Sequence, residues 1–203
     1  MALTDQKNKQ IIEAAMDEFQ ERGFAGASMD RISDRAQVSK RTVYNHFESK
    51  EVLFRSISDC LADQVQSSLD ITFNPDVPIR DELVRLGLAQ GALLTDPKGM
   101  GLARMMMGEL IRDPDIAANM NRRLDMVRVV KNFFDTAVEA GRLRIPDTWV
   151  AAEQFLGLIK SRGFYPKLFG EVLSTHEEMA VIIEDTVVMF LNSYGVPGDA
   201  SDK

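Results

Sequence analysis

Apolar side chains recur along this chain with the period of a helix. Ile11, Ile12, Ala15, Met16 and Phe19 fall at i, i+1, i+4, i+5 and i+8, one stripe on a helix of about 15 residues, with Gly23 following as a C′ glycine. Ser28 and Ser39 each precede a short apolar-periodic run, where a hydroxyl can accept from an orphan backbone N–H; they predict short helices ending near Ala36 and Asn45. Ser49 restarts the chain as a longer helix through Val52, Leu53, Ser56, Ile57, Cys60, Leu61, Val65 and Leu69, stopped ahead of Asn74-Pro75. Beyond Pro78, punctuation at Asp96-Pro97-Lys98-Gly99, Asp113-Pro114, Gly141, Pro146-Asp147, Gly170 and Gly195 marks off five more helices. Asp113 reads as an N-cap with Pro114 at N1, and Ser174 with Glu177 as a capping box. No run alternates in the manner of a strand. The expected fold is all-α, about nine helices in all: an amino-terminal three-helix module over residues 1–50, a larger helical bundle over residues 51–195, and a polar flexible tail over residues 196–203.

Composition narrows the function. With 203 residues, 45% of them apolar, the chain can bury a substantial core. A net charge of −7 argues against nucleic acid as a partner until its distribution is read. Residues 1–55 hold nine basic and nine acidic side chains, so the whole excess of acid falls on residues 56–203. Lys40, Arg41, His46, Lys50 and Arg55 lie in one short segment broken only by Glu48 and Glu51, and a local patch matters more to DNA than the total. The single cysteine, Cys60, excludes an intrachain disulfide and a cysteine-based zinc site. Two histidines, one cysteine and no phosphate-cradling glycine loop supply catalysis poorly; no catalytic residue, metal or cofactor is expected. Apolar runs such as Met179–Ile183 are cut by Glu184 and Asp185 well short of a bilayer span, so no membrane partner and a cytoplasmic location are expected.

The segment from Ser28 to Leu53 carries the chemistry. Met29, Ile32, Ala36, Val38, Val43, Phe47 and Leu53 can bury together beneath two crossed short helices, a helix-turn-helix. The polar remainder then shares an exposed face, and the amino-terminal end of the second helix is the end that meets base edges in a major groove. Candidate DNA contacts are Ser28, Ser39, Lys40, Arg41, Thr42, Tyr44, Asn45, His46 and Lys50. Lys40 and Arg41 suit guanine O6 and N7, whereas Tyr44, His46 and Lys50 suit phosphate. Roughly ten phosphates neutralised per dimer would give a slope of log K against log salt of about −9.

The tail Thr42, Tyr44, His46, Phe47, Lys50 and Leu53 is in register with the signature of the TetR/AcrR family, which the first 45 or so residues resemble. Gln37 stands at the turn position where the family usually has Gly, and a left-handed Gln costs roughly 1–2 kcal/mol; Ser33 stands where Ala is common. The carboxy-terminal part is similar to the AefR-like subgroup through Arg104-Met105 to Glu109, Phe133-Phe134 and Phe155 to Gly170. The resemblance implies a regulatory and dimerisation domain whose last two helices pack into an intermolecular four-helix bundle. The final helix, apolar over more than one stripe from Met179 to Tyr194, agrees in kind. The expected interface residues are Ile159, Gly163, Ile183, Val187 and Phe190.

The expected partners are double-stranded operator DNA, a second copy of the chain, and a small apolar or amphipathic effector. Cys60, Gln64, Met106, Glu109, Phe134 and Phe155 are the candidate effector-pocket residues. Met105, Met106 and Met107 have two readings, adaptable core or deformable pocket. Glu109 is a polar anchor or an exposed residue, and Arg162 an interface or a surface one. Cys60 reads as an inward-facing thiol, inert or redox-sensing, and Trp149 as packing at the start of its helix. The function expected is a homodimeric repressor released from a palindromic operator by its effector. The alternatives are an effector-independent dimeric DNA binder and an α-helical small-molecule binder or enzyme.

Overall fold

A computed structural model describes residues 3–68, 71–115, 117–118 and 125–197. Ten α-helices occur among them: α1 (Leu3–Gly26), α2 (Met29–Arg35), α3 (Lys40–His46), α4 (Lys50–Ser68), α5 (Ile79–Thr95), α6 (Pro97–Arg112), α7 (Met126–Glu139), α8 (Thr148–Gly163), α9 (Tyr165–Leu168) and α10 (His176–Tyr194). The only pairing of strand type among the described residues is an isolated bridge between Leu143 and Gly195. Of the tail expected over residues 196–203, residues 198–203 lie outside those described.

The chain divides into two compact units, residues 1–64 with 101–124 and residues 65–100 with 125–203. The division does not follow the contiguous boundary expected after residue 50: most of α4 and the greater part of α6 belong with the amino-terminal helices.

In the first unit the stripe of α1 buries Ile11, Ala15 and Phe19 against Ile32 of α2, Val43 of α3 and Leu53, Phe54 and Ile57 of α4. Phe19, Phe24 and Phe54 close a ring cluster with centroids 5.0–5.7 Å apart. Helical backbone breaks at Gly23 (φ 69°, ψ 166°), where the apolar stripe also ends. Cys60 is exposed, contrary to its inward placement from periodicity. The buried face of α4 runs through Phe54, Ile57, Ser58 and Ala62, because Met106 packs on Ser58, and at 3.6 residues per turn Cys60 falls outside that arc.

In the second unit α10 lies against α5 and α8, and α7 pairs with α8. Phe134, Phe155 and Phe190 form a closed triangle with centroids 4.9–5.8 Å apart. Where α10 crosses α5 the sequence supplies Gly87 and Gly91, and a Cβ at Gly87 would stand 2.5 Å from Ile183 Cγ2. The capping box of α10 is Thr175 with Glu178, one residue beyond the Ser174–Glu177 pair expected. Ser174 is buried instead, leaving Thr175 as the first extended residue ahead of the helix. Asp113 does accept from the Asp115 N–H at 3.0 Å, as an N-cap should.

Candidate DNA-reading surface

Two serines set the ends of the reading helices. Ser28 accepts from the Arg31 backbone N–H at 3.3 Å and Ser39 from that of Thr42 at 3.1 Å, each satisfying a helix-end donor. Between them the chain turns on Gln37 (φ 54°), whose N–H donates to Asp34 O while that of Val38 donates to Ser33 O. This is a Schellman ending with glutamine at C′. Ser33 is buried and donates its hydroxyl to Asp30 O at 2.6 Å.

Val43 and Phe47 anchor α3 in the core, with 0% and 4% of their surface exposed. That fixes the rotation of the helix, so Lys40, Arg41, Tyr44 and Asn45 stand in solvent and Thr42 and His46 are half-exposed. The side chains of Arg41 and Asn45 form no hydrogen bond or ion pair with other described residues. Lys40 donates to Asp30 at 2.6 Å, and this hydrogen bond raises the ammonium pKa, so the side chain stays charged at neutral pH. The pair is fully exposed, and such pairs exchange readily for a base or phosphate.

The two arginines of α2 are used differently. Glu18, 1% exposed on the buried side of α1, receives Arg31 Nε at 2.6 Å and lies 3.7 Å from Arg35 and 3.8 Å from Arg22. Arg31 also donates to Gly26 O, and Arg35 to both carboxylate oxygens of Glu21. They clamp α2 to α1, leaving α3 to present free cationic charge. Sequence reading overlooked this buried carboxylate, although Glu18 stands seven residues after Ile11, in register with the apolar stripe.

Lys50 departs from expectation. Its ammonium donates to the carbonyls of Phe24 (2.7 Å), Ala27 (3.2 Å) and Ala25 (3.4 Å) and lies 4.5 Å from the centre of the Phe24 ring. All three ammonium protons are engaged, so the side chain plugs the α1–α2 joint rather than reaching for phosphate. The carbonyls of Phe24 and Ala25 are available because they fall in the last turn of α1, where C=O groups have no intrahelical partner.

The residues expected to form an effector pocket are not brought together in either unit. Met106 is buried in the first unit's core with Sδ 3.5 Å from Ser58 Oγ, and Glu109 pairs with Arg112 at 2.8 Å. Cys60 is exposed in the same unit, and the Gln64 side chain lies outside those described. Phe134 and Phe155 belong to the second unit's closed aromatic core. The five expected interface residues, Ile159, Gly163, Ile183, Val187 and Phe190, are likewise buried within that unit in the single chain. Gly163 is there because a Cβ would stand 2.8 Å from Met179 Cε. The apolar residues that α8 and α10 leave exposed are Trp149, Val150, Val181, Val188 and Met189. Trp149 therefore does not pack inward; its indole N–H donates to Glu153 at 3.2 Å. Arg162 is on the surface, paired with Asp185 at 2.6 Å. Among the described residues no helix is long and apolar enough to cross a membrane.

Residues 11–57 match the profile of the bacterial regulatory proteins of the tetR family, and residues 81–196 that of the AefR-like transcriptional repressor carboxy-terminal domain. Among solved structures the chain is similar to a TetR family transcriptional regulator from Pseudomonas syringae pv. tomato, with 37% identity, 96% of this chain and 100% of that one covered, and a TM-score of 0.81. It is also similar to the flavonoid-responsive regulator FrrA, with 27% identity, coverage of 96% and 100%, and a TM-score of 0.76. The transcriptional activator FasR of Mycolicibacterium smegmatis is 28% identical over 116 residues, 57% of this chain and 52% of FasR. The chain spans about half the length of the first curated relatives it matches. With one profile on the reading helices and the other on more than half of its length, the chain belongs to the TetR family of DNA-binding transcriptional regulators and carries an AefR-like carboxy-terminal domain.

Proposed function

We propose that the chain is a homodimeric repressor that holds a palindromic operator through α3 and is released from it by a small amphipathic effector. The observation that carries the DNA assignment is the rotation of α3: burial of Val43 and Phe47 leaves Lys40, Arg41, Tyr44 and Asn45 on one exposed face. Arg41 and Lys40 take the base-reading role, Tyr44 and His46 the phosphate role, and Ser28, Ser39 and Thr42 keep hydroxyls at the helix starts. Repression is supported by the match to the AefR-like transcriptional repressor carboxy-terminal domain, and an effector response by the similarity to FrrA, a flavonoid-responsive regulator.

The dimer rests on α8 and α10. Their outer surface carries Val150, Val181, Val188 and Met189, and Gly157 of α8 has no atom within 4 Å of where a Cβ would stand. Such a face suits close approach by the same two helices of a second copy, burying apolar groups that a monomer leaves wet. The closed triangle of Phe134, Phe155 and Phe190 favours a second reading, a dimeric DNA binder that takes no effector in that core.

Fluorescence anisotropy on a duplex selected from a randomised library tests the assignment. Arg41→Ala should relax preference at one base position by about 1–3 kcal/mol. Equal affinity of the variant for every duplex that the wild type binds would remove α3 as the reading helix.

A further inference from the structure

The segment between α8 and α10 is structured, yet apolar on its outside. Phe169 and Val172 are 85% and 87% exposed and Tyr165 is 47% exposed, three large apolar side chains within eight residues. Their display is built into the turn. Pro166 stands in the first turn of α9, where a missing N–H breaks no helical hydrogen bond. The helix then closes on Gly170 (φ 110°), whose N–H donates to Lys167 O at 3.3 Å while that of Glu171 donates to Pro166 O at 3.2 Å. This is a Schellman ending, entered without strain by glycine. Lys167 pairs with Glu171 at 3.1 Å across the turn, and the Tyr165 ring meets that of Phe164 edge-on with centroids 5.5 Å apart. The turn fixes the backbone of Phe169 and leaves its ring in water.

We propose that residues 164–173 are an arm that seats on a second copy of the chain and completes its dimer interface, with Phe169 as the anchor. The proposal rests on the dimeric reading above and supplies the area which that reading lacks. A stable dimer buries about 800 Å² per partner, about 500 Å² of it apolar. Val150, Val181, Val188 and Met189, each about half exposed, offer only roughly 200 Å² on α8 and α10. Tyr165, Phe169 and Val172 add roughly 350 Å², which brings the face to the size a dimer needs.

The arm also stands where that face would continue. A Cβ at Gly163, the last residue of α8, would stand 2.8 Å from Met179 Cε, so the end of α8 lies on the first turn of α10 and the arm spans that end. Arg162 and Asp185 bridge the outer sides of the same two helices at 2.6 Å, and Val181 lies one turn before Asp185. Because the turn is preformed, seating it on a partner costs little further ordering. Under twofold symmetry each copy gives one arm and receives one, so every side chain removed counts twice.

Analytical ultracentrifugation of the full chain decides it. Phe169→Ser/Val172→Ser should raise the dimer dissociation constant about a hundredfold or more. Its far-ultraviolet circular dichroism should match the wild type, because both side chains stand in water in the single chain. Ile111→Ser removes an apolar side chain that is 79% exposed in the other unit, and it should leave the dissociation constant unchanged. A photoreactive benzoylphenylalanine in place of Phe169 should give a covalent dimer under ultraviolet light, and one in place of Ile111 none, which separates direct contact from an indirect effect. An unchanged dissociation constant in the arm variant, or no cross-linked dimer through position 169, would overturn the proposal and assign the exposed arm to a different partner. Val181→Asp/Val188→Asp keeps the two failures apart. Monomers in that variant beside an intact dimer in the arm variant would retain α8 and α10 as the interface without the arm, whereas a wild type that is itself monomeric would end the dimeric reading as well.

Discussion

Lys50 shows how one side chain can satisfy a family signature for a reason other than the obvious one. A lysine at the start of a helix beside a DNA-reading element invites a phosphate assignment, yet its ammonium is bound by three carbonyls and lies over an aromatic ring. Removing it leaves those carbonyls unpaired in a partly closed turn, a loss of about 1–3 kcal/mol. Lys50→Met should therefore lower the melting temperature while leaving the salt dependence of operator binding unchanged for the folded fraction. A salt slope reduced by about one unit would return Lys50 to the phosphate backbone. Gln37 offers the opposite test. It holds φ 54° at the C′ position of α2, where α7 ends in the same hydrogen-bond pattern on Gly141 at φ 70°. Gln37→Gly relieves the left-handed strain, offset in part by the freer unfolded chain, and should stabilise by about 0.5–1 kcal/mol in urea denaturation. A loss of stability would mean that the glutamine side chain contributes more than its backbone costs.

At the scale of elements, the packing of α10 on α5 depends on residues without side chains. A methyl at Gly87 would meet Ile183 Cγ2 at 2.5 Å, and one at Gly91 would meet Met179 Cγ at 2.7 Å. Gly87→Ala should cost about 1–3 kcal/mol by overpacking. Ile183→Val, which frees space opposite, should recover part of that in the double variant, and strict additivity would show that the clash relaxes elsewhere. The buried Glu82 ties the loop before α5 to the helix, accepting from Arg85 at 2.8 and 2.9 Å and from the Asn74 N–H at 2.7 Å. Burial alone would raise its pKa, but these donors more than offset burial and hold it below the ordinary 4.5. Its folded value being the lower, its contribution is complete above about pH 4.5 and is lost as pH falls through the folded value. The stability gap between wild type and Glu82→Gln should hold from pH 7 to about 5 and narrow below 4.5; a gap independent of pH would deny the ionised carboxylate this role. The helices themselves were legible because caps and apolar periodicity are local: Ser28, Ser39, Gly23 and Asp113 mark their ends from sequence alone. The orientation of α10 was not. Its apolar residues cover two faces, and periodicity cannot tell which meets its own unit; Ile183 and Val187 went to the core and Val181 and Val188 to solvent.

For the whole molecule the question is how an acidic chain holds DNA. The net charge is −7, but residues 1–55 are balanced, and α3 exposes Lys40 and Arg41 where, among the described residues, no carboxylate except Asp30 is bonded to them. Withdrawing Lys50 from the phosphate count lowers the sequence-based figure of roughly ten phosphates per dimer to about eight, and the slope of log K against log salt from about −9 to about −7. This tests dimerisation as well as electrostatics, because each copy supplies half of the charge. Val181→Asp/Val188→Asp places two carboxylates on the exposed face of α10 without touching its buried side. Light scattering should find this variant monomeric, and its slope on the same duplex should fall to about half, near −3.5. Its far-ultraviolet circular dichroism should match the wild type, since both substituted side chains stand in solvent in the single chain. A monomer that kept the full slope would place all the phosphate contacts on one copy. A variant that remained dimeric would move the interface away from α10, and the face that carries Trp149 and Val150 on α8 would be the next to substitute.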